Sequence, residues 1–232
     1  MTNPANVEFI AEKLLDFLRG TTDTYLRRSL TTRICRVAER YAPNNAWYIK
    51  TITELFDISG DTVSPDVAQN LMSLIAEGTG EGEEGDDEAD MLLRQNAVEV
   101  YAALLDRRPR SRLPRVLLEV MAWVLGEYAY LSAEFTLDQI LAKLCDAVLA
   151  GKKLELSTRR FLVTAVMKLV AQAGTCPPHA AQVIDECSRS KDAELQQRCL
   201  EFQVHILFWI FFNIHFRLYP PHPGVLLYVY SF

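Results

Sequence analysis

The sequence is poor in the groups that most catalytic sites need. It has four histidines, and three of them, His205, His215 and His222, fall within the last 31 residues. That leaves general-base catalysis by histidine little to work with. No nucleophile elbow, P-loop, HExxH or EF-hand pattern occurs, and no CxxC pair. Five cysteines are present, Cys35, Cys145, Cys176, Cys187 and Cys199, an odd number that reads as reduced, mostly packed thiols. Cys176, His179 and Cys187 form the best metal-ligating group, but a closed zinc site takes four ligands at characteristic spacings. Basic charge is also lacking: the net charge is −6 and the pI about 5.3. That balance argues against nucleic acid as the main partner.

Other absences concern structure. Before residue 202 no segment alternates with period two over a convincing length, so no sheet is expected. Met1-Thr2-Asn3-Pro4 offers no basic segment followed by an apolar core, so it is no signal peptide. The first helix begins almost at once, which predicts a piece of a longer protein. Gly80-Glu81-Gly82-Glu83-Glu84-Gly85 matches GxGxxG in form only. Its three glutamates would repel a phosphate, and no strand precedes it.

What is present has helical period throughout. Val7, Ile10, Leu14 and Phe17 mark a first helix that stops at Gly20. Leu26, Leu30, Ile34, Val37 and Tyr41 mark a second, ended by Pro43. Asn44 caps a third, with Trp47, Ile52, Leu55 and Phe56. Ser64-Pro65-Asp66 opens a fourth with a capping hydroxyl, a proline at the first position and an acid on the dipole; Gly78 ends it. A fifth is expected over about Asp87–Asp106. A sixth follows Pro114 with Val116, Val120, Trp123 and Val124. Thr136 and Gln139 form a capping box for the seventh. Ser157 opens an eighth, with Leu162, Val166, Leu169 and Val170 on one face. Shorter helices are expected at about Pro178–Arg189 and Asp192–Gln203.

These helices pair into antiparallel hairpins starting near Asn6, Asn44, Asp87, Thr136 and Pro178. The spacing of roughly 40 residues suits HEAT or armadillo repeats. The expected fold is therefore all-α, a HEAT/armadillo-like α-solenoid of about ten helices. One hairpin cannot bury its apolar face alone, so neighbours must stack. A compact helical bundle is the competing arrangement.

Gly78–Asp90 carries seven acids and four glycines and predicts a solvated loop. Arg107–Arg115 holds five arginines in nine residues. It suits phosphoinositide headgroups, but more simply reads as a solvated loop offsetting the acidic one. Glu127 sits on an otherwise apolar helix, where it is expected to hydrogen-bond a neighbouring helix terminus.

The chain divides into a solenoid over 1–203 and an aromatic, apolar tail over 204–232. From Phe202 onward lie ten of the 23 aromatics and one clearly charged side chain, Arg217. The apolar run Val204–Phe216 is short of the ~20 residues a spanning helix needs, and prolines follow it. A membrane anchor and a buried helix are thus less favoured than a non-native ending, such as a coding frame running into an intron produces.

Three stretches carry a family resemblance. Arg40-Tyr41-Ala42-Pro43-Asn44-Asn45-Ala46-Trp47 resembles the adaptin pattern of a basic residue, YAP and a tryptophan helix. Trp123-Val124-Leu125-Gly126-Glu127-Tyr128 resembles the W-x-x-GEY segment of adaptin large chains. Met1–Val7 is similar to the N-x-x-N-V entry of a trunk repeat. Asn44-Asn45-Ala46-Trp47 and the Ser-Pro-Asp after Gly60-Asp61 look most like the epsilon chains, with gamma as runner-up. The resemblance covers roughly residues 1–203.

It implies a non-enzymatic scaffold within a heterotetramer, beside a beta-type large chain, a medium chain and a small chain. Such complexes sort transmembrane cargo and are recruited by Arf-type GTPases to trans-Golgi or endosomal membranes. The implied location is cytoplasmic and peripheral on those membranes. No nucleic acid, small-molecule substrate, cofactor or metal is expected, and no catalytic or binding residue is carried over. Trp123 and Gly126 match the family motif and are expected to pack, with the glycine permitting close helix approach. Another HEAT-type scaffold, a transport receptor or phosphatase scaffold, is the alternative.

Overall fold

A computed structural model describes residues 2–78, 86–107, 113–150 and 154–218; at 61, 86, 87, 107 and 207–218 it describes the backbone alone. Ten α-helices and no strand lie among the described residues: α1 Val7–Gly20, α2 Thr24–Tyr41, α3 Asn45–Ser59, α4 Pro65–Glu77, α5 Asp86–Arg107, α6 Arg115–Tyr128, α7 Leu137–Ala150, α8 Leu156–Ala173, α9 Pro178–Ser188 and α10 Ala193–Leu218. Short 3-10 turns cover Gly60–Thr62 and Ala129–Leu131.

Four of the five expected hairpins are present, α1–α2, α5–α6, α7–α8 and α9–α10; α3 and α4 do not pack closely on each other, α3 lying against α2 and α5 and α4 against α5 and α6. The chain separates into two units, residues 1–175 and 176–232. In the first, α1, α3, α5 and α7 contact one another in succession along one layer, and α4, α6 and α8 do so in the other. Paired helices α1–α2, α5–α6 and α7–α8 cross between layers. This is the stacked-hairpin order of a HEAT/armadillo-like solenoid. The second unit is the hairpin of α9 and α10, closed over Ala180, Val183, Ile184, Cys187, Leu195 and Cys199.

Local sequence accounts for several boundaries. Asn44 Oδ1 accepts from the Trp47 N–H at 2.8 Å and caps α3. The Thr136–Gln139 box is complete: Thr136 N donates to Gln139 Oε1 at 2.9 Å, and Gln139 N to Thr136 Oγ1 at 3.2 Å. Gly78 ends α4 at a φ of 77°, where a side chain would be strained.

Other expectations fail, each for a visible reason. Ser64 does not cap α4: its hydroxyl donates instead to Asp66 Oδ2 at 3.2 Å. Ser157 lies one residue inside α8, and its hydroxyl turns to Glu119 of α6. On α1 the core face is Val7, Ala11, Leu15 and Leu18, and Phe17 is 56% exposed. The helix has apolar residues over two adjoining arcs, and the packed arc is the one turned toward α2 and α3. The helix expected to stop near Gln203 runs on to Leu218. The glycine-rich segment 79–85, with its GxGxxG pattern, and the arginines at 108, 110 and 112 lie outside the described residues.

Candidate functional site

Helix α6 is central to the first unit. It buries nine residues: Val116, Leu117, Leu118, Val120, Met121, Ala122, Val124, Leu125 and Gly126. At roughly 1.5–3 kcal/mol for each large apolar side chain, its valines, leucines and methionine together contribute on the order of 10–20 kcal/mol of apolar burial. α8 packs along it, with α3, α4 and α5 on its other sides.

The α6–α8 seam is close because Gly126 is small. A Cβ placed there would stand 3.0 Å from Ala165 Cα and 3.1 Å from its Cβ. The bare backbone beside it is used: Gln172 Nε2 donates to the Gly126 carbonyl at 3.0 Å. Glu127 pairs with Lys168, also on α8. Its partner is therefore a side chain on the flank of a helix, not the helix terminus expected for it, because the register of α6 on α8 brings Glu127 beside Lys168, a turn and a half short of the end of α8 at Ala173.

Carboxylates do bind near a helix start, but they are Glu119 and Glu99. Glu119 accepts from the Ser157 and Thr158 hydroxyls, both at 3.0 Å, in the first turn of α8. Arg115 neighbours the same cluster, 3.8 Å from Glu119 and 3.4 Å from Glu155. Glu99 of α5 gathers the loop before α7. Its Oε1 accepts from Ser132 Oγ at 3.0 Å, Ala133 N at 2.7 Å and Glu134 N at 3.1 Å. The sequence signal for Glu119 was available: like Glu127, it interrupts an apolar run.

Arginines close the opposite ends. Arg27 donates to the carbonyls of Leu18 and Thr21, both at 3.0 Å, and of Ile58 at 2.7 Å. Arg94 donates to Ile75 O at 3.0 Å and Ala76 O at 2.8 Å, at the end of α4. A cation there meets the negative end of the helix dipole and fills orphan carbonyls. Arg94 also lies over the Tyr128 ring at 5.6 Å, and Trp123 meets that ring edge-on at 5.9 Å. Burial raises the Tyr128 phenol, and the Arg94 charge works in the opposite direction. The W-x-x-GEY segment thus ties α6 to α8 through Gly126 and Glu127, and to α4 and α5 through Tyr128 and Arg94.

A cleft of about 280 Å³ opens beside this segment, lined by Gln69, Met72, Ser73, Ala76, Trp123 and Phe161. Its lining has no charged group, and Ser73 has no histidine, lysine or carboxylate in that lining to activate it, so the cleft offers packing surface rather than chemistry. The cysteines offer none either. Burial, and then the Glu39 charge, push Cys35 up to about 12. The Cys199 thiol's hydrogen bond with Cys187, which favours its protonated form, and then burial raise Cys199; burial raises Cys176. Thiols held protonated are poor nucleophiles and poor ligands. Among the described residues no group of three His, Cys, Asp or Glu side chains is placed to hold a metal, so Cys176, His179 and Cys187 do not form a site. No helix among the described residues is long and apolar enough to cross a membrane.

Comparison with known proteins agrees with the motifs. A family model, the Adaptin N terminal region, matches residues 1–207. The AP-4 complex subunit epsilon of Arabidopsis thaliana is 36% identical over 209 residues, which covers 88% of this chain and 22% of that protein. The AP-4 complex subunit epsilon-1 of Homo sapiens is 35% identical over 203 residues, covering 88% and 17%. The AP-1 complex subunit gamma-like 2 of Mus musculus is 31% identical over 212 residues, covering 87% and 25%. Among these three the epsilon chains stand ahead of gamma, in the order the motifs implied. The chain spans a quarter or less of the length of these curated relatives.

Proposed function

The chain belongs to the adaptin family through its N terminal region, and on that footing we propose that it is a structural scaffold subunit of a heterotetrameric vesicle-coat adaptor complex. The observation that carries this reading is the family match over residues 1–207, which spans the stacked hairpins of the first unit and the W-x-x-GEY seam at their centre. The finer assignment is to the epsilon chain of the fourth adaptor complex, supported by the identities of 36% and 35% to epsilon chains. Its partners on this reading are a beta-type large chain, a medium chain and a small chain. Its place is the cytoplasmic side of trans-Golgi or endosomal membranes, held there peripherally during protein transport. Family membership, rather than the lack of a visible site, carries the conclusion that the chain is no enzyme. Residues 204–232 are assigned to a separate apolar tail, on their change in composition.

The reading has a physical basis in the fold. Stacked hairpins present long side faces built from many helices, and such faces grip partners by area and shape rather than by one deep pocket. The seam around Gly126 and the capping arginines and carboxylates lock successive helices, so those faces keep their form. Another HEAT-type scaffold shares this architecture but not the family match.

A pull-down of the tagged full chain from cytosol tests the proposal. Recovery of small and medium adaptor chains is the expected result. Recovery of a transport GTPase or a phosphatase catalytic chain in their place would overturn it.

A further inference from the structure

Helix α10 is much longer than the helix it packs on. α9 has 11 residues and α10 has 26. At about 1.5 Å per residue they span about 16 Å and about 39 Å, so α9 covers less than half of its neighbour. The face of α10 in the hairpin core carries Leu195 and Cys199, both buried, then Phe202 and Ile206, both half-buried. Leu200 and Val204 lie on the other side of the helix, 47% and 65% exposed.

That other side continues as a regular stripe of positions. Leu200, Val204, Leu207, Phe211, Ile214 and Leu218 follow at spacings of four, three, four, three and four. This is the seven-residue repeat by which two helices pair along a shared seam. At 100° per residue the stripe stands roughly 160° from the face that meets α9. From 200 to 218 the polar residues are Glu201, Gln203, His205, Asn213, His215 and Arg217, and every one lies off the stripe. The stripe is therefore an apolar face that α9 does not cover.

Its charge pattern selects what does. Place two copies of α10 antiparallel, crossing at position 209. Leu200 of one copy then stands opposite position 218 of the other, Val204 opposite 214, and Leu207 opposite 211, so apolar meets apolar along the whole seam. The flanking positions bring Glu201 beside His215 and Gln203 beside Arg217, each twice by symmetry. A parallel pair gives Glu201 only Gln196 as a neighbour, and Arg217 none within the helix. From 202 to 218 the sequence has one charged residue besides histidine, Arg217, and so little with which to choose a foreign helix.

We propose that the 200–218 stripe of α10 docks antiparallel on the same stripe of a second copy of this chain, forming a two-fold symmetric homodimer seam. A lipid surface would also cover an apolar helix face. A helix lying on a bilayer, however, needs a strongly polar face opposite its apolar one, and the opposite face of α10 is the one that packs on α9. The inference goes beyond the coat-scaffold reading and does not rest on it.

The test is the mass of the purified full chain, followed by light scattering after size exclusion over a series of concentrations. The wild type should reach the mass of two copies. Val204→Lys should weaken pairing by about 100-fold or more, since each dimer would bury two unpaired ammonium groups. Val204 is exposed within one copy, so the variant should keep its helical circular dichroism, which shows that it is folded. Adding Ile214→Glu to Val204→Lys sets each lysine opposite a glutamate of the other copy and should recover about 10-fold or more of the lost affinity. A monomeric wild type would overturn the proposal, as would a Val204→Lys chain that assembles as the wild type does. A double variant that pairs no better than the single one would overturn the antiparallel seam. Binding of a monomeric wild type to phosphatidylcholine vesicles, lost in Val204→Lys, would assign the stripe to lipid and equally overturn it. The pull-down of adaptor chains is read separately, so either reading can fail alone, and Val204→Lys removes the doubling of mass that pairing brings to any assembly of this chain.

Discussion

Replacing Gly126 by valine is expected to lower the stability of the chain by about 3 kcal/mol, the upper part of the range for an overpacked core. A Cβ at this position already stands 3.0 Å from the Cα of Ala165, and backbone cannot swing aside as a side-chain tip can. Valine adds two methyl groups at the same place. α6 and α8 must then separate, and the bond from Gln172 to the Gly126 carbonyl is stretched with them. For a chain of this size the loss corresponds to a melting temperature lower by roughly 6–12 °C. Ala165→Gly in the same chain should recover part of that loss by restoring room, despite its own helix cost of about 1 kcal/mol. Gly20→Ala is the control, since nothing lies within 4 Å of a Cβ there. Thermal unfolding followed by circular dichroism measures all three. An unchanged midpoint for Gly126→Val would mean that the two helices do not approach as closely as described.

The second large effect is alkaline lability. Tyr101 is wholly buried, and its phenol, which accepts a hydrogen bond from Thr53 at 3.2 Å, is pushed by burial up to about 12. The unfolded chain's tyrosine titrates near 10, so above that pH the unfolded state sheds its proton while the folded state keeps it. Stability from this group is complete below about pH 10 and is lost as pH rises toward 12. At about 1.4 kcal/mol per unit the loss is about 3 kcal/mol. Cys35 and Tyr48 act in the same direction, each pushed to about 12 by burial first and then by the Glu39 charge. The midpoint should be flat from neutrality to about pH 8.5 and fall steeply above about pH 10. Tyr101→Phe should cost about 1 kcal/mol at pH 7, by leaving the Thr53 hydroxyl unpaired, and should flatten the fall above pH 10. An equally steep fall in the phenylalanine variant would remove Tyr101 from this account.

The features legible in the sequence are those decided within a turn or two of chain. Asn44 and the Thr136–Gln139 box cap their helices because donor and acceptor are three residues apart. Four of the five hairpins were legible because short connections leave few alternatives, while the short link from α3 to α4 does not pack those two helices closely together. Gly126 was legible through its motif, and the close approach to Ala165 gives the physical reason for a glycine there. What sequence reasoning missed depends on partners far along the chain. Arg94 finds the end of α4 across 18 or 19 residues, and Glu119 finds α8 across 38 and 39. No local pattern separates Arg94 from a surface charge, and the interrupted apolar run marks Glu119 as unusual without naming its partner. Glu127 was singled out for a polar contact and makes one, but its partner depended on the register of α6 against α8. Ser64 does stand at the N-cap position, but its hydroxyl is turned to donate to Asp66, the acid chosen for the dipole, and accepts no backbone N–H.

Co-expression of the full chain with the small and medium chains of an adaptor complex tests the central claim most directly. The masses of the products are then measured by light scattering after size exclusion. The scaffold account predicts one stable species whose mass is the sum of this chain and at least one of the others, weakened by Gly126→Val because the partner-holding faces depend on the α6–α8 seam. Elution of the folded chain apart from both, at concentrations where its relatives' complexes persist, would contradict it.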